Sequence, residues 1–147
     1  MTKDQIGWIW IWGWNPSNTQ GVMLYQMIDR GVRLSSFHRA TLLHRSGNSW
    51  TVRRTNAVHL MTGLVGSCLS LNDLTFLVDK KIVVKAHPWI DNQLLTGGVT
   101  YWEGASKVRL GDPSSLENGE GYLEVTGLGN WKNGHLCRKI KRAERNN

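Results

Sequence analysis

The chain has 147 residues, enough for one domain with a substantial core. Eight tryptophans and sixteen glycines, without long amphipathic runs, point to β structure. No apolar run is long enough to cross a bilayer, and the opening MTKDQIGW lacks the basic and apolar regions of a secretory leader. The expectation is a cytoplasmic protein with no transmembrane segment. The formal charge of +7 is uneven: Arg138, Lys139, Lys141, Arg142 and Arg145 crowd the last ten residues, where Glu144 is the only acid. Arg53 and Arg54 make a smaller cluster. No helix-turn-helix, zinc-knuckle or RNP-type pattern accompanies these charges, so a solvated basic tail is expected, with no nucleic-acid partner.

In chain order, Gly7 to Trp14 reads GWIWIWGW. Trp8, Trp10, Trp12 and Trp14 alternate with Ile9 and Ile11. Successive strand residues point to opposite faces, so a strand sets the indoles on one side and the isoleucines on the other. The indole stripe is either ordinary packing or the lining of a cavity for an apolar ligand. Asn15 to Gln20 is a cluster of turn formers. Gly21 to Asp29 is a second strand, with Met23, Tyr25 and Met27 on one face and Val22, Leu24 and Ile28 on the other. The two strands form an antiparallel hairpin that is apolar on both faces. A barrel wall needs one apolar face, so the other requires a cover: a partner domain, a second subunit or a terminal helix.

Arg30-Gly31 is the next turn. Val32 to His44 reads as one long strand or two short ones, and Trp50 to Leu60 has moderate strand character. Met61 to Leu74 looks irregular, with a short strand around Cys68. Leu74 to Val78 and Lys81 to His87 are short strands, and Pro88 either ends the second or marks an edge. Val99 to Leu110 and Gly119 to Leu128 are further strands, and His135 to Glu144 reads as a short basic helix. About eight to ten short strands with turns between them suggest an all-β fold, an antiparallel sandwich or up-and-down barrel. Residues 7–128 form the barrel of a single domain, 1–147, and 129–147 its basic tail.

Chemistry is sparse. The five histidines sit at no metal-ligand spacing, and neither a phosphate loop nor a nucleophile elbow is present. No metal and no cofactor is expected. Cys68 and Cys137, far apart and in no paired motif, read as free thiols of a reducing compartment. More informative are Tyr101-Trp102-Glu103-Gly104 and Gly121-Tyr122-Leu123-Glu124-Val125-Thr126-Gly127. Each strand presents a tyrosine and a carboxylate two residues apart on one face. If they look inward they supply phenol donors and acids within an aromatic box, where desolvation favours a protonated carboxyl suited to general acid work. If they look outward they are surface pairs.

These segments resemble the carotenoid 1,2-hydratase (hydroxyneurosporene synthase) and AttH-like lipocalin family. Its second barrel opens with W-x-W and M-L-Y strands and closes with Y-W-E-G and G-Y-L-E-x-T-G. The counterparts are Trp8-Ile9-Trp10, Met23-Leu24-Tyr25, Tyr101 to Gly104 and Gly121 to Gly127. The resemblance implies a lipocalin-like β-barrel and apolar substrates such as carotenoids, other terpenoids or polyketides. It implies cofactor-free chemistry, either hydration of an alkene by a hydro-lyase or Diels–Alder-type ring closure by a cyclase. Two departures stand out: the chain resembles only the C-terminal barrel of a two-barrel family, and Ile9 replaces an acidic residue often found within W-x-W.

On this reading Glu103 and Glu124 are candidate acids and Tyr122 a hydrogen-bond donor. Trp8, Trp10, Trp12, Met23, Tyr25, Tyr101 and Trp102 are candidate substrate-binding residues. The expected partners are an apolar small molecule and a second barrel, as a homodimer or as another chain. The alternatives are a non-catalytic binder of apolar ligands, or a structural partner whose barrel is filled by its own side chains.

Overall fold

A computed structural model describes residues 5–29, 33–97 and 100–138. The strands in order are β1 (Gln5–Trp14), β2 (Gln20–Asp29), β3 (Leu34–Ser46), β4 (Ser49–Thr55) and β5 (Val58–Thr62). They continue as β6 (Leu64–Val65), β7 (Cys68–Ser70), β8 (Leu74–Val78), β9 (Ile82–Pro88) and β10 (Leu94–Leu95). The last are β11 (Tyr101–Gly111), β12 (Glu117–Thr126), β13 (Asn130–Lys132) and β14 (His135–Cys137). Among the described residues there is no α-helix, only a 3-10 turn at Leu71–Asp73.

Nine strands in the order β4-β3-β2-β1-β12-β11-β9-β8-β5 form a nearly closed antiparallel barrel of lipocalin-like kind, with β10 flanking β11. The all-β expectation and the first hairpin hold, the hairpin with Ile11 opposite Leu24. The predicted Trp50 to Leu60 strand is two strands, β4 and β5. The predicted 32–44 stretch is one strand rather than two, starting at Leu34 and running on to Ser46, and the Arg30-Gly31 turn lies outside the described residues. The predicted C-terminal helix is corrected: His135–Cys137 is a strand, Arg138 follows it outside any element, and residues 139–144 lie outside the described residues.

The second correction concerns which face of β1 is inside. Ile9 and Ile11 are fully buried and are flanked by Leu24 of β2 and by Leu123 and Val125 of β12. The indoles of the same strand therefore point outwards. A small barrel has an interior just wide enough for side chains, and aliphatic residues fill it here, with Phe76, Val84, Ala86 and Val108 from the opposite wall. Four stacked indoles would overfill that space. Gly13 and Gly121, paired across β1 and β12, share the inner face. A Cβ on either would come within 2.7 Å of the Val108 side chain.

The third correction concerns the cysteines. Cys68 and Cys137 are opposite each other on β7 and β14 and form a disulfide, not free thiols. The bond staples a four-stranded sheet, β13-β14-β7-β6. Leu69 and Leu136 of this sheet are buried in the same core as the barrel, so residues 129–138 are structural and no loose tail. No helix among the described residues is long and apolar enough to cross a membrane.

Candidate functional site

Strand alternation carries nine of the ten predicted site residues to one place, the outer face of β2, β1, β12 and β11. Trp10 lies between Tyr25 on β2 and Glu124 on β12, and Trp12 between Met23 and Tyr122. Glu103 faces Glu124 across β11 and β12. The expectation that Trp8, Trp10 and Trp12 wall an interior chamber is therefore corrected, because the aliphatic face of each strand has taken the inside. The residues do converge, on a surface: Trp12 is 37% and Met23 41% exposed, while Trp8, Trp10, Tyr25, Tyr101, Glu103, Tyr122 and Glu124 are half-buried.

The face is knitted laterally. The Trp8 indole N–H donates to Glu124 Oε1 at 2.6 Å, a charge-assisted bond that fixes the carboxylate among the rings. Trp12 and Tyr122 stack with centroids 6.5 Å apart, and Tyr25 meets Phe37 at 5.7 Å. Partial desolvation, then the neighbouring Glu103 and Glu124 carboxylates, push the Tyr122 phenol above its ordinary range. Tyr122 therefore remains a hydrogen-bond donor throughout the neutral range.

Trp102 is the exception. It is fully buried on the inner face of β11, donates its indole N–H to the Asp91 carbonyl at 3.0 Å and stacks on Trp131 at 6.2 Å. Its role is core packing beneath the loop, and it cannot reach a ligand on the outer face.

Two further concavities escaped the sequence reading. One, of about 600 Å³, opens at a barrel mouth over Leu42, Ile82 and Leu110, with Gln20, His44, Arg53, Lys81 and Asp112 at its rim. The other, of about 610 Å³, is an external trough between Trp12 and Trp14 on one side and Trp89 on the other. The trough was legible only in part, since Trp14 belonged to the stripe but Trp89 stood alone beside Pro88. Among the described residues no three His, Cys, Asp or Glu side chains gather as a metal site.

No protein-family model matches the chain, and no curated protein matches it in sequence. Among solved structures, it is similar to kievitone hydratase from Nectria haematococca, with a TM-score of 0.58 and 17% identity over 83% of this chain. The match spans 39% of the hydratase chain, so the present chain corresponds to about two-fifths of that protein. At this identity the likeness establishes the barrel fold that the two chains share.

Proposed function

We propose that the outer face of β2-β1-β12-β11 is one wall of an apolar-substrate site, completed by a second barrel, and that the site runs cofactor-free hydration or cyclisation of a terpenoid- or polyketide-like molecule. The observation that carries this reading is Glu124, held by the Trp8 indole within an aromatic surface that also presents Glu103 and Tyr122. The structural neighbour is named a hydratase and is much longer than this chain, which supports both the class of chemistry and the need for a second part. A cover over the face would exclude water from the carboxyl groups and from the bound substrate.

In the proposed hydration, the Glu124 or Glu103 carboxylic acid gives its proton to one alkene carbon. Water adds to the cation at the other carbon, and the proton that water loses returns to the carboxylate. Tyr122 orients a polar group of the substrate, while Trp8, Trp10, Trp12, Met23, Tyr25 and Tyr101 hold its apolar skeleton in a reactive conformer. The disulfide changes the proposed location: free thiols favoured the cytoplasm, whereas the Cys68–Cys137 bond fits an oxidising compartment.

The test is incubation with a panel of polyenes in heavy-oxygen water, with products read by mass spectrometry. Label incorporation that Glu124→Gln reduces by about a hundredfold or more supports acid catalysis. A ring-closed, unlabelled product more sensitive to Trp10→Ala than to Glu124→Gln supports a pericyclic step. The aliphatic filling of the interior favours a second reading, a non-catalytic structural partner of another barrel. Absence of product together with self-association that depends on Trp12 and Met23 would support it.

A further inference from the structure

The trough beside the candidate site has a chemistry of its own. Trp12 and Trp14 form one bank and Trp89, 59% exposed, the other. Asn18, Asn118 and Glu120, all exposed, also line it. Ala105 is a short outward residue, directly opposite Tyr122, that keeps the floor low.

The first bank is built rigidly. Asn15, 3% exposed, accepts at Oδ1 from the Thr19 and Gln20 backbone N–H groups and donates through Nδ2 to the Thr19 hydroxyl, all at 2.9 Å. This closes the β1–β2 turn that presents Asn18. The Trp14 ring stands over Gly21, where a Cβ would come within 2.7 Å of it, and meets Trp50 edge-on at 5.6 Å. On the second bank, the Trp89 backbone N–H donates to the Ala105 carbonyl at 3.1 Å. The Trp14 ring and the β1–β2 turn are thus set in place before any ligand arrives, which lowers the ordering cost of binding on that bank.

We propose that this trough is a saccharide-binding site. A pyranose ring has an apolar C–H face and a rim of hydroxyls. Flat indole faces suit the first, and planar amides, each both donor and acceptor, suit vicinal hydroxyls. An apolar cover is disfavoured because it would leave Asn18, Asn118 and Glu120 without partners. A quaternary ammonium is disfavoured because Lys107 lies directly opposite Glu120 on β11 and offsets its charge. The Cys68–Cys137 disulfide fits a compartment in which glycans are met. The trough shares Trp12 with the proposed reaction's wall, but the inference does not rest on that reaction, since Trp89, Asn18 and Asn118 take no part in it.

The experiment is calorimetric and fluorescence titration of the intact chain with cellulose-, chitin- and mannan-derived oligosaccharides, with choline and a proline-rich peptide as competitors. The expected result is binding by at least one oligosaccharide series, weakened roughly tenfold or more by Trp89→Ala and by Asn118→Ala, with thermal midpoints unchanged. Unchanged turnover of any polyene substrate in these variants keeps the two sites distinct. The proposal is overturned if no series binds at about 10 mM, or if Trp89→Ala leaves affinity unchanged. It is equally overturned if choline or the peptide binds through Trp89 and the saccharides do not.

Discussion

At the scale of single residues, the outer face couples rings to acids. Glu124 and Glu103 stand opposite each other, a like-charge pairing that a sheet does not favour, and the Trp8 bond to Glu124 offsets part of it. Tyr122 registers the same field. Its phenol is pushed up by desolvation and by the two carboxylates, so the folded chain binds that proton more tightly than the unfolded one. The associated stability is fully present below the ordinary tyrosine pKa of about 10 and is lost as pH rises through the folded value. Tyrosinate absorbance should show one of the three tyrosines titrating late, and Tyr122→Phe should remove that late step. A single shared transition for all tyrosines would contradict this. Trp8→Phe, which deletes the donor to Glu124 but keeps the ring's apolar face, should reduce any turnover while leaving the fold intact by circular dichroism.

At the scale of elements, strand β1 decides the molecule. From Gly7 onwards its inner side reads Gly7, Ile9, Ile11, Gly13 and its outer side is all indole, so truncations on the two sides should differ sharply. Ile11→Ala removes a fully buried side chain and should lose about 2–5 kcal/mol by chemical denaturation. Trp12→Ala, exposed on the other side, should lose far less. Gly121→Ala should destabilise the chain by at least about 1–3 kcal/mol, because the new methyl group collides first with the Trp12 backbone carbonyl and also presses on Gly13 Cα and Val108. The hairpin and the barrel class were legible from alternation and turn residues. The inside of β1 was not, since both faces are apolar and alternation alone is symmetric between them. The discriminating signal was volume: Gly7 and Gly13 share the isoleucine face, and a barrel interior accepts small and branched residues before indoles. Trp102 misled for the same reason, lying one residue out of phase with Tyr101 and Glu103.

At the scale of the whole molecule, two features govern behaviour. The disulfide closes a long loop between positions 69 residues apart, and its reduction should destabilise the chain by about 2–4 kcal/mol. Denaturation with and without reductant measures this directly, and an unchanged midpoint would argue that the cysteines are not bonded in solution. That pairing was illegible in sequence, because contact between β7 and β14 exists only once the barrel is assembled. The exposed aromatic face should make the chain self-associate or take a partner barrel. Light scattering showing a clean monomer at high concentration would count against a homodimer.

The ring of strands is not welded all the way round. Strands β4 and β5 do not pair as a ladder. The join is made by Asp79 in the β8–β9 turn, which accepts from the Thr55 hydroxyl and pairs with Arg53, while its own backbone N–H donates to the Ala57 carbonyl at 2.8 Å. A clasp of side chains is weaker than a backbone zipper, and it depends on charge. Amide protons of β4 should thus exchange with solvent sooner than those of β1 or β12, and Asp79→Asn should hasten them further. The seam is where this cylinder would begin to unroll.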